Sequence, residues 1–139
     1  MFDYTAPPQH LKNKTILVTG ASRGIGRAAS IAYAQAGATV ILLGRDVESL
    51  ESVYDEIIKL DAPEPAILPF NLQGASDEAL IELANVIHSK YGHLDGLLNN
   101  ASLLGFKGAL KDTETSQWQQ TLDVNLTASF TLTRTLMPL

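Results

Sequence analysis

The amino-acid sequence predicts an α/β fold in which a parallel sheet is doubly wound, with helices on both faces. Three observations predict it. Short apolar runs of buried-strand character alternate with segments of helical period. The first apolar run passes into three glycines and then into an alanine-rich stretch, the order strand, tight loop, helix. The chain has 139 residues, 45% of them hydrophobic, which suits one domain with one core.

Residues 1–13 read as a polar, proline-bearing arm and residues 14–139 as a single domain, with no internal repeat or linker. The first strand is expected over Thr15 to Thr19, around Ile16-Leu17-Val18, and Gly20, Gly24 and Gly26 follow it. A strand that turns sharply into a helix needs a residue without Cβ, and a backbone that touches a pyrophosphate tolerates no side chain. Gly26 is expected to let the helix lie close on the sheet. That first helix carries Ile25, Ala28, Ala29, Ala32, Tyr33 and Ala36 as an apolar stripe and ends at Gly37, suited to a C-cap. The second strand is placed at Thr39 to Leu43, and the second helix behind Asp46 as its N-cap. The third strand covers Ala66 to Phe70. The third helix runs from about Ser76 to Tyr91 with Leu80, Leu83, Ala84 and Ile87 on one face and Asp77-Glu78 at the positive end of its dipole. A fourth strand, Gly96 to Asn99, and a fourth helix, about Ser116 to Met137, complete the pattern, and Pro138 stops that helix. Tyr33 and Trp118 are expected to be packing residues.

A net charge of −5 argues against nonspecific binding to nucleic acid or to an anionic membrane surface, both of which call for a basic field. No cysteine is present, which excludes disulfides and thiolate catalysis. No apolar run approaches a membrane span, and Met1-Phe2-Asp3-Tyr4 lacks the basic and apolar segments of a signal peptide, so a soluble, cytoplasmic protein is expected. His10, His88 and His93 have no metal-ligand spacing, and no metal site is expected.

The helix behind the glycines directs its unpaired N–H groups and positive dipole end at the loop, which stabilises an anion without any cationic side chain. The loop therefore predicts a nucleotide phosphate site. Ser22 either adds a hydroxyl donor to it or is a plain turn residue. A P-loop does not fit, because no Gly-Lys-Ser/Thr ends the segment.

The spacing G-x-x-x-G-x-G in Thr19-Gly20-Ala21-Ser22-Arg23-Gly24-Ile25-Gly26, together with Asn99-Asn100-Ala101 and with Asn125 in Asp123-Val124-Asn125-Leu126, resembles the short-chain dehydrogenase/reductase family from Lys14 to Leu139. The resemblance and the rule of right-handed crossovers imply a Rossmann-type sheet with strand order 3-2-1-4, a ligand crevice between strands one and four, and three later strands beyond this chain. It implies that Gly20, Ser22, Arg23, Gly24, Ile25 and Gly26 bind the cofactor phosphates. Enzymes preferring NAD place an acidic residue at the end of strand two. Here Gly44 and Arg45 stand there, and Arg45, helped by Arg23, would bind the 2′-phosphate of NADP, so NADP(H) is expected over NAD(H). Asp46 competes with that reading if it reaches the ribose, and Arg45 as a solvated loop charge is the plainer alternative.

Asn71-Leu72 falls where the family has an acidic residue that accepts a bond from the adenine amine; the asparagine carbonyl can accept it too, or can serve the turn alone. By the same resemblance Asn99, Asn100 and Ala101 form the wall beside the cofactor ribose, unless the asparagines only cap strand and loop. Ser102 replaces the family's glycine, at a cost of about 1–2 kcal/mol if the backbone there is left-handed. Asn125 lowers helix propensity where it stands. In the family it belongs to the catalytic tetrad, kinks its helix and holds a water; an incidental helix polar residue is the alternative.

The family protonates its substrate oxygen from Tyr-x-x-x-Lys. Four positions after Tyr4, Tyr33, Tyr54 and Tyr91 stand Pro8, Gly37, Ile58 and Asp95, so the motif is not in these residues. The chain reads as the N-terminal part of an NADP(H)-dependent reductase of a small carbonyl or alcohol substrate, inactive by itself. A non-catalytic nucleotide sensor and an inactive truncated product are the alternatives. An open edge is expected on strand four and an uncovered apolar face on helix four at Leu126, Phe130 and Leu132. The family commonly uses that helix in a subunit interface, which implies a homo-oligomer for the complete protein.

Overall fold

The computed structural model describes residues 6–139. Its elements run β1 (Thr15–Thr19), α1 (Gly24–Gln35), β2 (Thr39–Gly44), α2 (Val47–Ile58), β3 (Ala66–Pro69), α3 (Asp77–Tyr91), β4 (Gly96–Leu98), α4 (Thr115–Leu122), a π-helical turn (Asp123–Thr127) and α5 (Ala128–Leu136). Among the described residues the sheet has four strands in the order β3-β2-β1-β4, all parallel, with Leu17 opposite Ile41 on one side and Leu97 on the other.

Alternation along the strands divides the core in two. Leu17, Ile41 and Leu43 point to the face covered by α3 and α5, where they meet Leu80, Leu83, Ile87, Leu132 and Leu136. Ile16, Val18, Val40 and Leu42 point the other way and pack with Ala34, Leu50, Val53 and Ile57 of α1 and α2. Successive strand side chains point to opposite faces, so near-continuous apolar strands are what a sheet covered on both faces requires. The winding reverses between β1 and β4, and the C-terminal ends of these two strands open a crevice there.

Several sequence expectations are corrected. The stripe expected on α1 is not its buried face: Ile25 is 79% exposed, Ala28 and Ala32 are exposed, and the helix seats on the sheet through Gly26, Ser30 and Ala34. Small residues let the helix axis approach the sheet, and the one hydroxyl among them is satisfied internally, Ser30 Oγ donating to the Gly26 carbonyl at 2.8 Å. The single fourth helix is interrupted by the π turn. Leu132 is fully buried against α3 rather than uncovered, whereas Leu126 and Phe130 are exposed as expected, because they lie on the helix face turned from the sheet. Trp118 is exposed, not packed. β2 extends one residue further than expected, to Gly44, while β3 and β4 each stop one residue earlier.

The arm's first five residues, Tyr4 among them, lie outside the described ones. The rest of the arm is tied down, with the Leu11 N–H donating to the Ala36 carbonyl at 2.9 Å. At the opposite end of the sheet from the crevice, Asp95 accepts from Lys14 Nζ at 2.7 Å and from the Thr15 N–H at 2.8 Å. These bonds hold its carboxyl below the usual carboxylate range, and His93 adds to them at 3.1 Å. None of the described helices is long and apolar enough to cross a membrane.

Candidate functional site: a cleft at the strand reversal

A cleft of about 640 Å³ opens at the C-terminal ends of the strands, a size suited to a ligand of cofactor dimensions. Its floor is the loop between β1 and α1. Gly24 has φ +55°, and a Cβ built there would meet nothing within 4 Å, so the backbone faces open space. α2 and α3 are capped by side chains, Asp46 and Ser76, but the N-cap of α1, Arg23, makes no such bond, and no acidic residue stands in its first turn. Among the described residues the first-turn N–H groups of α1 therefore have no side-chain cap, and an anion is their natural complement.

The loop is held from behind by β4. Thr19, 1% exposed, donates from Oγ1 to the Leu98 carbonyl at 3.2 Å and accepts from the N–H groups of Asn100 and Ala101, each at 2.9 Å. Asn100 Nδ2 donates to the carbonyls of Thr19 at 3.0 Å and Gly20 at 3.2 Å. The Gly26 Cα lies so near this junction that a Cβ on it would overlap the Gly20 carbonyl and the Asn100 amide. Gly26 thus serves the close approach and is not on the cleft wall.

Of the residues singled out from sequence, Gly20, Ser22, Arg23, Gly24, Ile25, Gly44, Arg45, Asn71, Leu72, Asn100 and Ala101 line the cleft. Asn99 does not; its Nδ2 donates to Thr133 Oγ1 of α5 at 3.0 Å. Asn125 does not line it either, although its neighbour Val124 does. The Asn125 side chain pairs twice with one backbone unit, accepting from the Leu103 N–H at 2.7 Å and donating to the Leu103 carbonyl at 3.0 Å. It stands in the π turn, the geometry by which a helix is locally distorted at functional sites. Replacing it by alanine, Asn125→Ala, leaves both Leu103 groups without their partner. We expect about 1–2 kcal/mol less stability in chemical denaturation and faster amide exchange at Leu103. Unchanged exchange would show that the loop does not depend on this pair.

Sequence reasoning missed Phe70, Gln73, Ser49 and Leu103 on the wall. The apolar run reads Phe70 into the third strand, whereas β3 ends at Pro69, and nothing local marks Leu103, which is set by Asn125 from 22 positions away. Ser102 also lines the cleft, and it is not among the non-glycine residues of positive φ, so the strain of replacing a glycine does not arise. Asp46 is committed to its helix: Ser49 donates to it from both the hydroxyl and the backbone N–H, and these bonds hold its carboxyl below the usual range. Arg23 and Arg45 are exposed on the cleft rim, and the structure shows no salt bridge for either among the described residues. No group of three or more His, Cys, Asp or Glu suited to a metal occurs among the described residues.

The family model for short chain dehydrogenases matches residues 14–139. The chain is 43% identical over 134 residues to the uncharacterized oxidoreductase YciK of Escherichia coli K12, covering 96% of this chain and 53% of that protein. A short chain dehydrogenase structure from Pseudomonas syringae superposes with a TM-score of 0.94 at 47% identity, over 100% of this chain and 56% of that one. Another from Shigella flexneri 2a, solved as a complex with NADP, gives 0.91 at 41% identity, over 96% and 56%. The chain spans about half the length of these relatives. Sheet order, glycine loop and family match agree, and the chain belongs to the short chain dehydrogenase family.

Proposed function

We propose that this chain carries the cofactor-binding half of an NADP(H)-dependent oxidoreductase that acts on a small carbonyl or alcohol substrate. The observation that carries the reading is the open backbone at Gly24 beneath an uncapped α1, with two exposed arginines beside it. The first-turn N–H groups of α1 and the Ser22 hydroxyl would hold the pyrophosphate. Gly44 closes β2 without a side chain, and a carboxylate, the group that accepts ribose hydroxyls in NAD enzymes, is not at that position. Arg45 and Arg23 then face the 2′-phosphate, and Asp46 stays with Ser49 rather than opposing it. The NADP complex of the Shigella flexneri relative supports the same choice.

Bound in the cleft, the cofactor supplies the hydride. Ala101, Ser102 and Leu103 wall the cleft on the β4 side, and Asn125 keeps Leu103 in place. The proton that a reduced carbonyl must receive has no donor in a Tyr-x-x-x-Lys arrangement within these 139 residues. In this reading the chain binds cofactor and does not turn over substrate by itself.

Titration with NADPH and NADH by calorimetry tests the proposal, and NADPH is expected to bind more tightly. Arg45→Asp removes a charge-assisted contact of about 1.5–3 kcal/mol and adds repulsion, so NADPH affinity should fall about tenfold to a hundredfold while NADH changes by about twofold. Equal losses for the two nucleotides would remove Arg45 from phosphate recognition. Binding of neither by the folded wild-type chain would overturn the cofactor reading.

A further inference from the structure

The two ends of the cleft differ in charge. Its three charged lining residues, Arg23, Arg45 and Asp46, belong to the loops that follow β1 and β2. The end that follows β4 is walled by Ala101, Ser102, Leu103 and Val124, with no charged lining residue among those described. Leu103 and Val124 are half-buried, and the carboxylate next to Val124, on Asp123, accepts from Gln119 Nε2 at 3.0 Å and does not line the cleft. The strand order decides which half of a dinucleotide meets which end. β2 and β4 flank β1 on opposite sides, so a pyrophosphate on the loop between β1 and α1, with the phosphorylated ribose at Arg45, sends the other riboside toward β4. That riboside carries the nicotinamide, a neutral ring in NADPH and a pyridinium cation in NADP+.

We propose that the wall formed by Leu103 and Val124 selects the oxidation state of the nucleotide, holding the neutral ring of NADPH in preference to the cation of NADP+. The inference rests on the cofactor reading given above. An apolar wall strips water from the ring on one side and offers the cation no partner, a cost that the neutral ring escapes. The overall charge acts the other way: at −5 the chain draws the less negative nucleotide, NADP+, but over distances that salt screens. The contact with the wall therefore sets the sign. A chain that keeps the reduced nucleotide more firmly than the oxidised one suits a reductase. Asn125 holds both backbone groups of Leu103, so that side chain can be changed while the loop stays in place.

Calorimetric titration of the full chain with NADPH and, separately, NADP+ is the test, and NADPH is expected to bind about tenfold more tightly. Leu103→Asp and Leu103→Asn share a shape and differ in charge. Aspartate pairs with the pyridinium, so the ratio of NADPH to NADP+ affinity should be about tenfold lower in Leu103→Asp than in Leu103→Asn. Equal affinities in the wild-type chain, or tighter NADP+, would overturn the proposal. A ratio that is the same in the two variants would overturn it too, since the ring then does not lie at Leu103. Should either Leu103 variant fail to fold, Val124→Asp against Val124→Asn decides by the same ratio. A folded wild-type chain that binds neither nucleotide would sink the cofactor reading and this inference together, whereas binding with the wrong ratio sinks this inference alone.

Discussion

Gly24→Val is expected to abolish binding of NADPH and NADH alike, with each affinity reduced at least a hundredfold, while the chain stays folded. The two halves of that statement have different causes. Outside its chain neighbours and the backbone of its own helix turn, a Cβ at Gly24 would meet no atom within 4 Å, so the added Cβ is not packed against any other part of the fold. Its folding cost is limited to placing a β-branched residue at φ +55°, about 1–3 kcal/mol. The space the side chain enters is the space above the first turn of α1, where a pyrophosphate must come within hydrogen-bonding distance of the backbone. Titration by calorimetry, with circular dichroism to confirm the fold, checks both halves. Retained affinity in a folded variant would show that the phosphates do not pass over Gly24.

Thr19→Val is expected to cost about 2–4 kcal/mol of stability, a large share of the about 5–15 kcal/mol available to a domain. The exchange keeps volume and β-branching, so packing in β1 changes little. What it removes is a hydroxyl that serves three backbone groups of β4 and the loop after it: the Leu98 carbonyl and the Asn100 and Ala101 N–H groups. Two N–H groups are left without their acceptor in a partly buried junction, and such groups keep their desolvation penalty. Because Asn100 in turn holds the carbonyls of Thr19 and Gly20, the glycine loop should loosen, and both cofactors should bind more weakly. Denaturant midpoints measure the first effect. A loss below about 0.5 kcal/mol would mean that water or a shifted loop replaces the hydroxyl.

Much of this arrangement could be read in the residues. Ile16-Leu17-Val18 running into Gly20, Gly24 and Gly26 marks strand, turn and helix start, because each feature acts within a few positions of itself. The N-cap at Asp46 is legible for the same reason, since its side chain accepts from the backbone N–H three residues on. Local reading failed on α1, where counting alanines pointed to Ile25, Ala28 and Ala32. The sheet selects the face by how closely the helix can approach, and Gly26, Ser30 and Ala34 allow the closest approach. Trp118 misled in a similar way, since its size suggests burial while its position on α4 leaves it exposed.

The sequence alone determined the order of strands and helices as far as β4 and the glycine-rich loop between β1 and α1, since periodicity, capping and glycine geometry are properties of neighbouring residues. Only the tertiary structure decided what Thr19, Asn100 and Asn125 bond to. For Thr19 and Asn100 the partners lie about 80 positions apart, and for Asn125 they lie 22 apart, so parallel strand pairing and the helix crossing had to bring them together. A polar side chain can satisfy itself in several ways, and the fold selects one by fixing which donors and acceptors come within its reach.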